Sequence, residues 1–376
     1  MELPILTAQT GLDSFKDDRR KSRQVMVGNI AVGGGAPISV QSMTKTKTGD
    51  AKATLEQIRR VEEAGCDIIR VTVNDWEAAE AMKEIVAGSK IPVVADIHFN
   101  HIFAIKALEA GVAKVRLNPG NIGSVERIHQ VLSLAKERRV PIRIGVNSGS
   151  LEKDILEKHG YPTAEALFES AMRHVDICED FGFGDIIISV KSTDVRLMIA
   201  AYRLIAERTD YPLHLGVTEA GTMRVGTIKS SVGIGTLLAE GIGDTIRVSL
   251  TDEPEKEIEV GKEILRSLSL ASRNVEIIAC PTCGRLEIDL FKICDELERA
   301  TNHLKKPVKV AILGCVVNGP GEAADADIGI AAGQGVGILY RKGVVIRRIK
   351  ESEIVPVLIE EIMNFQPEEQ VLGAGL

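Results

Sequence analysis

DIIRVTVNDWEAAEAMKEIVAGSKIPVVADIHF (67–99) holds one whole structural unit and the start of the next. Its first run, DIIRVTV (67–73), is apolar and β-branched but carries an arginine. An amphipathic stretch, Trp76–Val86, follows, and a second apolar run, IPVVADIHF (91–99), closes on an acid and a histidine. Strand, helix and strand in this order make a βαβ unit and a parallel sheet.

The same unit recurs on both sides. Upstream lies SVQSMT (39–44), and downstream lie KVRLNPG (114–120), PIRIGVNSGS (141–150), DIIISVKS (185–192), LHLGVTEAG (213–221) and DTIRVSLT (244–251). Helical patterns separate them at Ala53–Glu63, Val125–Arg138, Ala164–Phe181, Val195–Arg208 and Ile228–Glu240. Eight strand runs within 39–251 predict an α/β fold, a (β/α)8 barrel of the TIM type, which typically takes about 250 residues. An open doubly wound sheet is the alternative. Composition agrees with either: 44% of the 376 residues are hydrophobic but only 3% aromatic, as in cores of Val, Ile and Leu on buried parallel strands.

Ahead of the barrel, residues 23–32 alternate apolar and small residues around Gly28-Asn29, which predicts a β-hairpin that plugs the N-terminal end. The barrel unit is assigned to 1–270 and a smaller α+β unit to 271–376. The latter reads as strands in VEIIAC (275–280), VKVAIL (308–313), ADIGIAAG (326–333), GVGILYRKG (335–343) and GVVIRRI (343–349), with helices at Leu286–His303 and Glu353–Phe365. A net charge of −7 gives no basic surface for nucleic acid. The N-terminal stretch MELPILTAQTGLDSFKDDRR is unlike a signal peptide, and no apolar run is long enough for a membrane. A cytoplasmic protein with reduced thiols is expected.

Active sites of such barrels lie at the C-terminal ends of the strands. Those ends carry Arg70, Asp96, His98, Arg116, Asn118, Arg143, Asn147, Ser189, Lys191, His214, Glu219, Arg247 and Ser249. Arg70, Arg116, Arg143 and Arg247 sit within apolar strands, where arginine is costly without an anion. The planar guanidinium fork suits phosphate oxygens, so the set predicts an anion site for a substrate with two phosphoryl groups. Lys229-Ser230-Ser231, read as a helix start, and Asn147–Ser150 offer further phosphate donors. Asp96 and Glu219 read either as partners that keep the arginines tolerable or as proton donors, and His98 and His214 could also transfer protons; Glu219 is preferred as the general acid.

Cys280-Pro-Thr-Cys283 follows one strand of the second unit, and Cys315 ends another. Two thiolates from one turn and a third from a neighbouring strand suit a metal or cluster. Structural zinc, a redox pair and buried thiols without a role remain open, but an iron–sulfur cluster is the favoured reading. A cluster with three thiolates leaves one iron for another ligand, and Glu322, in the turn Asn318-Gly-Pro-Gly-Glu322, is the candidate. Cys66, Cys178 and Cys294 read as buried small hydrophobes.

SVQSMT, ADIHF, KVRLNPGNIG, PIRIGVNSGSL, SVKS, HLGVTEAG, RVSLT, CPTCGR and GCVVNGPGE together resemble the bacterial 4-hydroxy-3-methylbut-2-enyl diphosphate synthases over nearly the whole chain, in their short two-domain form. The resemblance implies a [4Fe–4S] cluster on Cys280, Cys283, Cys315 and Glu322. It implies two-electron reductive opening and dehydration of 2-C-methyl-D-erythritol 2,4-cyclodiphosphate to 4-hydroxy-3-methylbut-2-enyl diphosphate, late in the methylerythritol phosphate route to isoprenoids. It further implies flavodoxin or ferredoxin as electron donor and a homodimer whose active site is shared between subunits. Two other classes compete: a cluster-free barrel enzyme of the pterin-binding kind, and an iron–sulfur sensor without catalysis.

Overall fold

The computed structural model describes residues 19–366 apart from 99, 118–121, 123, 272–274, 302, 305 and 316–318. The chain divides into two units, Met1–Ala271 and Ser272–Leu376.

In the first unit β1 (Val25–Val27) and β2 (Ile30–Val32) form an antiparallel hairpin, with Val27 opposite Ile30. Gly28 opens the two-residue turn at φ +60°, a left-handed conformation that costs glycine nothing. Val25, Val27 and Val32 are buried against Ile68, Val94 and Ile187. Those partners come from the first or second residue of their strands, so the hairpin does plug the N-terminal end of the barrel. Each such side chain, fully buried, contributes roughly 1.5–3 kcal/mol.

Eight parallel strands follow: β3 (Ser39–Met43), β4 (Ile68–Thr72), β5 (Val93–Ile97), β6 (Lys114–Leu117), β7 (Ile142–Asn147), β8 (Ile186–Lys191), β9 (His214–Leu215) and β10 (Thr245–Ile246). They pair in the order β8-β7-β6-β5-β4-β3-β10-β9. A parallel bridge from Ile188 to Leu213 joins the two ends. The sheet is therefore the expected barrel, not an open sheet. Along each strand the side chains alternate. Ile69, Val71, Ile142, Ile144, Ile186 and Ile188 pack outward with the helices in the main core. Ile68, Arg70, Arg143 and Ser189 occupy the opposite, inner face.

The barrel helices are α1 (Ala51–Glu63), α2 (Trp76–Gly88), α3 (His101–Glu109), α4 (Val125–Arg138), α5 (Lys153–His159), α6 (Ala164–Asp180), α7 (Val195–Arg208), α8 (Met223–Ala239) and α9 (Pro254–Ser267). Asp50, Asp75, Asn100, Thr163 and Asp194 cap the starts of α1, α2, α3, α6 and α7 by accepting backbone N–H groups. Helices that return between parallel strands present these N-termini at the strands' C-terminal face, which favours anions there. The expected helix from Ile228 begins at Met223 instead. Gly226 lies inside it because Leu250 packs where its Cβ would stand, 2.6 Å away, so this glycine is a packing residue and not a helix boundary.

The second unit is a mixed sheet in the order β11-β12-β13-β14-β15. Its strands are β11 (Val275–Ala279), β12 (Val308–Leu313), β13 (Ile328–Gly333), β14 (Val336–Arg341) and β15 (Val344–Lys350). β11, β12 and β13 run parallel, and β14 and β15 antiparallel to their neighbours. Helices α10 (Leu290–Thr301) and α12 (Ile354–Asn364) cover it through Ile293, Leu297, Leu358 and Ile362, while the short α11 (Gly319–Ala324) follows β12.

Candidate active site

Asp96, Arg116 and Arg143 lie side by side on three neighbouring strands, Asp96 in register with Arg116 and Arg116 with Arg143. Asp96 is the hub. Its Oδ1 accepts from Arg116 Nη1 at 3.0 Å, and its Oδ2 faces Arg70 Nε at 3.5 Å. Burial would raise the Asp96 carboxyl, but Arg70 and Arg116 outweigh it and hold it well below the usual carboxylate range. Arg116 continues to Gly145 O through Nη2 at 3.3 Å, and to His98 Nε2 at 3.4 Å. Gly145 must be glycine, since a Cβ there would stand 2.5 Å from Arg116 Nε.

One carboxylate cannot balance the rest. Arg143 is 1% exposed, and among the described residues its Nε and Nη1 have no hydrogen-bond partner. Burial, then repulsion from Arg70 and Arg116, weighs against its charge. Burial likewise pushes the Lys114 and Lys191 ammonium groups well below their ordinary range, with Arg143 the next cause for both. Arg70 is lowered to about 10, chiefly by burial. Lys114 donates to Gln41 Oε1 at 3.2 Å. Lys191 passes over Gly216, whose Cβ would stand 2.7 Å from Nζ. His214 is fully buried with neither ring nitrogen bonded among the described residues, and burial, then Arg143 and Lys191, pushes its pKa well below the ordinary range. Tyr202 from α7 inserts its hydroxyl between two strands, accepting from Val190 N–H and donating to His214 O. A set of buried cations with orphaned donors is arranged for an anion.

Ser189 is buried among these groups, whereas Asn147 and Ser249 are half-buried at strand ends. Ser148–Ser150 forms a single 3-10 turn after Asn147. Glu219 is exposed just past β9 at φ +49°, a conformation rare for a side chain of this kind and often found at functional sites. Asn118 lies outside the described residues. Lys229 and Ser230 require a correction. They are interior residues of α8, so their backbone N–H groups belong to the helix and offer nothing to phosphate. Ser230 Oγ is buried without a partner, and Lys229 is half-buried.

Several residues were not singled out from the sequence. Lys114 is two residues from Arg116 on the same strand face, and that spacing was the available signal. Met43, the thioether against Arg70 Nη2 at 2.9 Å, and Glu257, the partner of Arg247 at 3.2 Å, gave none.

In the second unit Cys280 and Cys283 follow β11, and Cys315 follows β12. The two strands pair parallel in register, and Cys280 N–H donates to Ile312 O at 3.4 Å, so both loops leave the same edge. Thr282 takes φ +61° within the Cys-x-x-Cys turn. The backbone N–H and guanidinium of Arg285 lower the Cys283 thiol, and Arg285 also feels Cys315. Cys280 and Cys315 are half-buried and Cys283 exposed. Cys66 and Cys178 are buried thiols pushed up to about 12 by burial, as structural cysteines are. Glu322 is exposed in the first turn of α11, not in a sharply bent loop: Gly-Pro-Gly opens a helix, with proline near its start. By chemistry the donors fit an iron–sulfur group. Among the described residues, no three His, Cys, Asp or Glu side chains stand close enough to hold a metal ion.

The chain matches the GcpE TIM-barrel domain over residues 22–262 and the GcpE protein C-terminal domain over 276–364. It is 56% identical over 345 residues to the 4-hydroxy-3-methylbut-2-en-1-yl diphosphate synthase (flavodoxin) of Clostridium perfringens, across 92% of this chain and 99% of that one. The enzyme of the same name from Symbiobacterium thermophilum is 57% identical over 343 residues, 91% and 93% of the two chains. Among solved structures, dihydropteroate synthase from Xanthomonas albilineans is similar over 65% of this chain and 98% of that one, at 15% identity and a TM-score of 0.46.

Proposed function

The chain belongs to the GcpE family, the 4-hydroxy-3-methylbut-2-en-1-yl diphosphate synthases, and from this premise we propose that its barrel face clamps the substrate's diphosphate while Cys280, Cys283, Cys315 and Glu322 hold a [4Fe–4S] cluster. The enzyme is an iron–sulfur oxidoreductase of the methylerythritol phosphate pathway. It converts 2-C-methyl-D-erythritol 2,4-cyclodiphosphate, two electrons and two protons to 4-hydroxy-3-methylbut-2-enyl diphosphate and water.

The observation that carries the clamp is Arg143, buried with two unpartnered donors. Arg70, Arg116, Lys191 and Arg247 complete a cationic wall, and Ser189 and Asn147 add neutral donors. Opening the ring turns one bridging phosphate oxygen into a leaving group and adds negative charge, which Arg70, Arg116 and Arg143 stabilise more in the transition state than in the substrate, while Arg247 holds the diphosphate in both states alike. Asp96 keeps Arg70 and Arg116 aimed at the anion. His214, neutral, orients without adding charge, and Glu219, at the exposed strand end, is the group proposed to deliver a proton to the departing hydroxyl. When bound, the cluster supplies electrons singly and a Lewis-acidic iron.

Flavodoxin, named for the relatives, is the proposed donor, ferredoxin the alternative. A homodimer with a shared active site and a cytoplasmic location complete the reading. No helix among the described residues is long and apolar enough to cross a membrane. The test is anaerobic. Purified protein is analysed for iron and sulfide, then given the cyclodiphosphate and reduced flavodoxin. About four irons per chain and appearance of the linear enyl diphosphate are expected. Zinc in place of iron would reject the cluster, and iron with only two sulfides would reject its type. Mixing an Arg143→Met protein with a Cys315→Ser protein should restore turnover if subunits share the site, and should restore none otherwise.

A further inference from the structure

Glu257 lies in the first turn of α9 and is 1% exposed. Neighbouring acids on that helix behave differently. Glu259 and Glu263 form pairs in solvent with Lys256 and Arg266. Glu257 instead turns inward and meets three strand-end groups. Its Oε2 accepts from Ser42 Oγ at 2.8 Å, and its Oε1 accepts from Leu250 N–H at 3.0 Å. Arg247 Nη2 donates to Oε1 at 3.2 Å and reaches Oε2 at 3.4 Å. One carboxylate therefore ties β3, the end of the β10 segment and the start of α9 together.

Among the described residues, the Arg247 guanidinium is held through Nη2 alone. Its Nε is buried without a hydrogen-bond partner. Its charge is felt by Arg70 and by Lys191, so it faces the same cationic wall. A carboxylate so deeply buried needs hydrogen-bond partners for both oxygens, and the arginine supplies one while keeping a donor unspent.

We propose that Glu257 is a positioning residue of the diphosphate site: it fixes Arg247 through Nη2 and leaves Nε free to donate to the anion. The inference builds on the reading of the barrel face as the diphosphate site. Glu257 touches no reacting atom, so its loss weakens binding and leaves the chemical step intact.

Glu257→Gln is the informative variant. Its amide oxygen still accepts from Leu250 N–H and its amide nitrogen donates to Ser42 Oγ, so the local fold persists while the charge on Arg247's partner is gone. In the anaerobic holoenzyme, KM for the cyclodiphosphate should rise about tenfold, the scale of one charge-assisted hydrogen bond, with kcat within about twofold. Introduced into an Arg247→Met background, Glu257→Gln should change KM no further. An unchanged KM with a lowered melting temperature would reduce Glu257 to a structural residue and overturn the proposal. So would equal effects in both backgrounds. If Arg247→Met alone leaves KM unchanged while Arg143→Met raises it, the positioning role is overturned and the barrel reading stands. If neither arginine matters, the barrel reading itself has failed.

Discussion

The barrel face and the cysteine edge of the second unit solve opposite problems. At the barrel face the cations Arg70, Lys114, Arg116, Arg143 and Lys191 stand on strands, deeply buried, with glycines such as Gly145 cut to their shape. Their geometry is fixed before any ligand arrives. At the cysteine edge the donors stand on turns, half-buried or exposed, and no three of the described donors converge. If these cysteines hold the proposed cluster, thiolates that would repel one another gather around it, and binding and local folding are one event there. On the proposed reading, recognition of the anion rests on the scaffold, whereas the cofactor completes its own site.

The contrast has measurable consequences. Cys315→Ser should abolish turnover and iron retention together while the barrel unit melts at an unchanged temperature, read by iron analysis and circular dichroism. A barrel that also unfolds would erase the distinction. Asp96→Asn leaves Arg70 and Arg116 buried without their carboxylate, and should cost the substrate-free protein about 3–5 kcal/mol in denaturant titrations. Added pyrophosphate should restore most of it, because an anion replaces the missing partner.

His214 gives a pH signature. Its folded-state pKa is depressed by burial first and then by Arg143 and Lys191. Below about pH 6.5 the unfolded chain takes up a proton that the folded chain refuses, so stability must fall as pH falls. His214→Gln should flatten that decline between about pH 6.5 and 5, by up to about 1.4 kcal/mol per pH unit, in urea titrations. The smallest effect belongs to the plug. Gly28→Ala forces a left-handed alanine with its Cβ 3.2 Å from Pro92, and should cost about 1 kcal/mol without altering KM.

Strand alternation made the barrel legible: apolar runs carrying polar residues place Arg70, Asp96, Arg116 and Arg143 on one inner face, although Arg143 stands second in β7, near its N-terminal end and in register with Ile187, not at the strand end the sequence suggests. What escaped lies on helices and in three-dimensional packing. Glu257 stands in a run of acids, Asp252 to Glu263, and only packing against Ser42 and Leu250 sets it apart from its solvated neighbours. The sequence pattern places the start of α8 at Ile228, but the helix begins at Met223, and Gly226 lies inside it to admit Leu250. Glu322 was read as a loop residue because Gly-Pro-Gly commonly marks a turn, and here it opens a helix. The cysteine pattern names the chemistry without fixing the arrangement, since a turn's donors take their positions from what they bind.

The central claim is that the buried cations of the barrel recognise the diphosphate independently of the cluster. Arg143→Met, purified anaerobically with its iron and sulfide determined, tests it directly. The expected result is full cluster content and an unaltered visible spectrum, with kcat/KM for the cyclodiphosphate reduced by about 10²–10³. Unaltered turnover, or a loss of turnover that merely follows a loss of iron, would contradict it.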